Sequence, residues 1–121
     1  MPRYLDSEAR REWKRLVPIL LCMRVLTEAD GVALGNLCQA ISILGRAHKD
    51  MRKATKAGSS GLLMKIPSGY VQQSPLIGII NNQVEIIMRI SREFGLTPSS
   101  RMRISALHEQ TMDALEAKLC G

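Results

Sequence analysis

Two stretches of the chain repeat apolar residues at alternating steps of three and four, and this constrains the fold more than any other feature. Leu34, Leu37, Ile41, Leu44, His48 and Met51 are spaced 3-4-3-4-3, and Leu76, Ile80, Gln83, Ile87, Ile90 and Phe94 are spaced 4-3-4-3-4. Only a helix brings such positions onto one face, and seams this narrow call for a facing helix. The two helices are therefore expected to pack antiparallel. The expected fold is mainly α: a long antiparallel helical hairpin, a short β-hairpin insertion and a helix-turn-helix-like terminal corner. It is expected to be a single unit over 1–121, with N-terminal helices in 1–57, a hairpin or loop in 58–74 and C-terminal helices in 75–121.

The ends of the elements follow from local chemistry. Asp6 or Ser7 can cap a first helix from about Glu8 to Met23, with Trp13, Leu16, Val17 and Leu20 on one face. Pro18 has no N–H for the carbonyl one turn back and should bend or interrupt it. Thr27 can cap a second helix from Glu28 to about Lys56, in which Gly31 and Gly35 leave room for another backbone. The segment GSSG at 58–61 ends it. Leu62–Ile66 and Tyr70–Gln73, joined by Pro67-Ser68-Gly69, are read as a small β-hairpin or as two extended arms. Ser74-Pro75 reads as N-cap and first residue of a third helix. Gly95 should end that helix in the left-handed conformation, with Leu96 folding back on Ile90 or Ser91. Thr97 caps the last helix, Pro98 opens it, and Ile104, Leu107, Thr111, Leu115 and Leu119 form its apolar stripe.

The charge is divided along the chain. Residues 1–105 carry sixteen Lys and Arg against eight Asp and Glu, or +8, while residues 106–121 carry one against three, or −2. A basic body suits an anionic partner. With aromatics at 3%, the chain lacks the rings that a stacking platform for single strands requires. Arg46, Lys49, Lys53 and Lys56 form one stripe beside the second helix's seam, with Arg52 nearby. Such a stripe can follow a phosphate backbone without reading sequence. It can also be a solvated face whose cations favour a helix C-terminus. Arg10, Arg11, Lys14 and Arg15 give the first helix a second basic surface.

The segment EFGLTPSSRMR, 93–103, has two readings. It can be the turn of a DNA-reading motif, with Ser99, Met102 and Arg103 toward a major groove. It can also be a corner between packed helices, with Arg101 and Arg103 flanking the Ile104/Leu107 face. The outward face of this helix, Ser99, Met102 and Ala106, turns acidic at Glu109, Asp113 and Glu116. Val25-Leu26-Thr27 makes a second break of the same kind.

Catalysis is not expected. His48 and His108 lack a carboxylate or cysteine at catalytic or ligand spacing, and His48 falls on the apolar seam, where an interior histidine is the expectation. Cys22, Cys38 and Cys120 show no zinc spacing, and the first two are expected to be core thiols in a reducing cytosol. No cofactor or metal is implied. The N-terminus MPRYLDSEARREW is neither a signal peptide nor a membrane span, so a soluble intracellular protein is expected.

Three stretches together resemble the small subunits of tailed-bacteriophage terminases: Trp13 through Leu21 leading to LTEAD (26–30), SGYVQQSPL (68–76) and EFGLTPSSR (93–101). The resemblance spans nearly the whole chain. It implies a non-enzymatic subunit, in the host cytoplasm, that binds double-stranded viral DNA and assembles as a ring-like homo-oligomer. It also implies delivery of DNA to the large subunit, whose ATPase and nuclease the small subunit regulates. The chain departs from many members in having almost no polar arm before the tryptophan helix and no extended tail. The DNA-contact candidates, chosen from charge and spacing, are Arg10, Arg11, Lys14, Arg15, Arg46, Lys49, Arg52, Lys53, Lys56, Arg101 and Arg103. Candidate helix-packing or subunit contacts are Leu34, Leu37, Ile41, Leu44, Ile80, Ile87, Ile90 and Phe94. Residues 107–121 are the candidate docking face toward the large subunit. A dimeric helix-turn-helix regulator and a helical adaptor that binds only protein are the alternatives.

Overall fold

In the computed structural model, residues 1–58, 61–65 and 67–120 are described, with 108 and 111–120 by backbone alone. Four helices and one hairpin follow in order: α1 (Ser7–Cys22), α2 (Gly31–Lys56), β1 (Leu63–Lys65), β2 (Val71–Gln73), α3 (Pro75–Glu93) and α4 (Pro98–Cys120). The expected Ser59-Ser60 linker and Ile66 lie outside the described residues. So do the side chains of His108, Thr111, Leu115, Leu119 and Cys120.

α2 is the central helix, with α1 and α3 packed against it. Phe94, after the end of α3, joins Leu34 and Leu37 in the core, while Leu76 and Ile79 lie beside Ile43 and Ala47 farther along α2. α2 and α3 are therefore antiparallel, as the paired seams required. Leu5, Ala9, Leu16, Leu20, Leu34, Leu37, Cys38 and Phe94 form the buried cluster. Trp13, Val17, Ile41, Ile87 and Ile90 pack against it, partly exposed.

The single seam expected on α2 divides into two faces. Ser42 and Cys38 are buried on the side toward α1, whereas Ala47 lies on the side toward α3. His48 is exposed, contrary to the expected interior position. The buried cluster around Leu34 and Leu37 takes in no residue of α2 beyond Ile41, so His48 lies past the side chains that cover that face. Gly35 allows a close approach, but by the N-terminal arm rather than by a helix. A Cβ there would lie 2.7 Å from the Tyr4 hydroxyl oxygen and 2.9 Å from the Pro2 ring.

α1 is not interrupted at Pro18. Pro18 and Lys14 are both exposed, so water can bind the Lys14 carbonyl that the proline leaves unpaired. Cys22, expected in the core, is exposed on the last residue of α1, while Cys38 is buried. Burial, with a smaller contribution from the nearby Glu12 charge, pushes the Cys38 thiol up to about 11, so it stays protonated and inert at neutral pH. The strands pair antiparallel, with Leu63 opposite Gln73 and Lys65 opposite Val71. Both are exposed along their length, so the hairpin is a ribbon projecting from the α2–α3 end.

The two helix breaks share one construction. After α1, the Val25 N–H donates to the Leu20 carbonyl; after α3, the Leu96 N–H donates to the Ser91 carbonyl. Each closes a Schellman-type cap around a left-handed residue, Arg24 at φ 58° and Gly95 at φ 72°. A threonine follows each, and its N–H donates to the polar side chain three residues on, Asp30 after Thr27 and Ser100 after Thr97. The first cap opens a short 3-10 turn, Glu28–Asp30, before α2. Only Gly lacks the Cβ penalty at positive φ. Gly95→Ala is expected to cost about 1–2 kcal/mol, since its methyl would also press on Ile104. Arg24→Gly is expected to add about 0.5–1 kcal/mol. Urea midpoints at unchanged slope check both.

Candidate nucleic-acid interface

The expected basic positions fall into two groups once ion pairs are assigned. Asp6 caps α1, its carboxylate accepting from the Ala9 N–H at 2.9 Å and from the Ser42 hydroxyl at 2.8 Å. Arg46 reaches the same carboxylate at 3.1 Å, and Lys49 reaches Glu8 at 3.2 Å. These two cations of the expected stripe therefore fasten the first turn of α1 to α2. The Ala9 hydrogen bond holds the Asp6 carboxyl below its ordinary value against the opposing effect of burial, with help from Ser42, Gln39 and Arg46. Arg15 pairs with Glu12 at 2.6 Å, and Arg103 donates to the Arg92 carbonyl at 3.3 Å.

Arg10, Arg11, Lys14, Arg52, Lys53, Lys56 and Arg101 remain, all exposed and with no carboxylate in ion-pair contact among the described residues. The first three project from the face of α1 opposite Ala9, Leu16 and Leu20. The next three lie past the point where α1 begins, because Glu8 stands opposite Lys49 and α2 runs on about 10 Å to Lys56. They form a basic edge in two parts, one on the outer side of α1 and one on the stretch of α2 beyond the start of α1. Ion pairs between exposed groups in water are worth little, but unpaired cations in a row are what a phosphate backbone can neutralise.

The terminal corner keeps Arg101 exposed and Arg103 tied to α3. Ser100 is buried and Ile104 half-buried against the body, so Ser99 and Met102 face outward as expected. Sequence reasoning passed over Arg24, an exposed cation held at positive φ between the two basic helices. The only sign of it was a non-glycine residue at a helix C′ position. Of the expected packing residues, Leu34, Leu37 and Phe94 are buried, while Ile41, Leu44, Ile80, Ile87 and Ile90 are half-buried. No described helix is long and apolar enough to cross a membrane.

A family model described as "Phage terminase, small subunit" matches residues 9–111. No match is found among curated proteins or among solved structures.

Proposed function

The chain belongs to the phage terminase small subunits, and we propose that within phage genome packaging it is the non-catalytic subunit that binds double-stranded viral DNA and brings it to the large terminase subunit. On this reading it works in the host cytoplasm, as a homo-oligomer, and regulates the large subunit's ATPase and nuclease. The observation that carries the DNA-binding part is the set of exposed cations with no ion-pair partner among the described residues, Arg10, Arg11, Lys14, Arg52, Lys53 and Lys56. Arg101 would add a contact from the corner. Arg15, Arg46, Lys49 and Arg103, already engaged within the chain, would contribute less. Residues 107–121 remain the candidate docking face for the large subunit.

The test is duplex binding measured across salt concentrations. Arg52→Glu with Lys53→Glu and Lys56→Glu should weaken binding and make the log–log salt slope shallower by about one for each phosphate no longer neutralised. The triple reversal Arg10→Glu, Arg11→Glu, Lys14→Glu should do the same. Lys49→Glu should act mainly on stability, through loss of its pairing with Glu8. An unchanged slope in both triple variants would remove the basic edge from the account.

A ring is supported over a twofold dimer by α3. Its exposed apolar residues fall on opposite flanks of the helix: Ile79 on one, Met88 on the other, nine residues and about 180° apart. Val84 accompanies Met88. Two different sticky flanks suit head-to-tail contacts, which make a ring where the rotation between copies closes. Native mass spectrometry at moderate salt distinguishes a closed multimer from a dimer, and a dimer would favour a regulator.

A further inference from the structure

α4 leaves the body early. Ser100 is buried and Ile104 packs against Gly95, but Ser105, Ala106 and Glu109 are exposed, and Met102 is 75% exposed. Most helical stability in a protein comes from packing rather than propensity, so a helix this long with so open an outer face calls for a partner.

That outer face is zoned. Met102, Ser105 and Ala106 line a shallow recess with Pro98 and Arg101, and Glu109 closes its far end. In the sequence, Asp113 and Glu116 follow Glu109 at helical spacing. The outer face of α1 has the opposite zoning: Arg10, Arg11 and Lys14 come first, then Pro18, Leu21 and Cys22, with Leu21 57% exposed. In each helix the centres of the charged and the apolar zones lie about 13 Å, or roughly nine residues, apart. Laid antiparallel, the acidic zone of α4 meets the basic zone of α1, and Met102 meets Leu21. A chain cannot make this contact with itself, because the side of α4 that faces its own α1 end is the Ile104 side, close to Met23.

We infer that the outer face of α4 docks on the outer face of α1 in a second copy of this chain. The docked helix covers Arg10, Arg11 and Lys14, so DNA competes with it for those cations. A large subunit that took hold of α4 would then uncover them. The competition, unlike the docking, rests on the DNA-binding reading above.

The experiment places the photoreactive p-benzoylphenylalanine at position 102 of the full chain and mixes copies labelled with 14N and 15N. Mass spectrometry should find links between copies that map to residues 14–22, and duplex DNA should suppress them. Arg11→Glu with Lys14→Glu should reduce linking at least fivefold, and adding Glu109→Lys with Asp113→Lys in the partner copy should restore it. Links absent, confined to one copy, or mapping elsewhere would overturn the docking, as would failure of the swap to restore them. If links form as expected but no salt-dependent DNA affinity exists, the DNA reading falls and the docking stands. Salt-dependent DNA binding without links gives the reverse.

Discussion

Leu34→Ala is expected to lower stability by about 3 kcal/mol, within the range for removing a fully buried leucine. Leu34 is 0% exposed and sits where α1, α2 and the Phe94 end of α3 meet. Truncation there takes packing away from three elements at once, and helices held by opposing side chains cannot all move in to fill the gap. Domains of this size have net stabilities of roughly 5–15 kcal/mol, so the loss is a large fraction of the total. Leu44→Ala serves as the comparison. Leu44 is half-buried, so its truncation should cost about 1 kcal/mol. The check is denaturant unfolding of both variants. Equal losses would mean that Leu34 is not the junction described.

Asp6→Ala is the second large change, expected to cost about 2–3 kcal/mol. Losing an N-cap alone costs about 1 kcal/mol, and the buried Ser42 hydroxyl, 2% exposed, would lose its acceptor, adding about 1–2 kcal/mol. Arg46 would also be released from α1. The pH dependence has a definite sign. The folded-state pKa of Asp6 is lowered from 3.8, so its stabilising contribution is present above that value and is lost as pH falls through the folded value. The gap between wild type and Asp6→Ala should therefore be full at pH 7 and narrow clearly toward pH 2. A gap independent of pH would mean that the carboxylate's charge is not what holds the first turn of α1 to Ser42 and Arg46.

Much of the fold was legible because it depends on neighbours in sequence. Ser74-Pro75, Gly95 and Thr97-Pro98 act on backbone groups within one turn, and the structure places α3 and α4 at those boundaries. The glycine turn between two short extended runs allowed a hairpin or two separate arms, and the pairing of Leu63 with Gln73 makes it a hairpin. The candidate site was legible only as a list of cations. Nothing in the spacing of Arg46, Lys49, Lys53 and Lys56 indicates that the first two meet Asp6 and Glu8, about forty residues away. The exposure of His48 and Cys22 was equally hidden, since each depends on which stretch of its helix the distant core covers.

By itself, then, the sequence determined four helices, the caps of all but α2, which starts three residues late behind a 3-10 turn, the antiparallel α2–α3 pairing and the family. Periodicity and capping act within a few residues, and a family motif is read from the residues themselves. Only the tertiary structure decided which cations are bound internally and which lie on an open edge. It also decided that α2 is enclosed on two sides and that the outer face of α4 stands open beyond the corner. Those outcomes depend on which distant surfaces meet, and burial and ion pairing act through space whatever the separation along the chain.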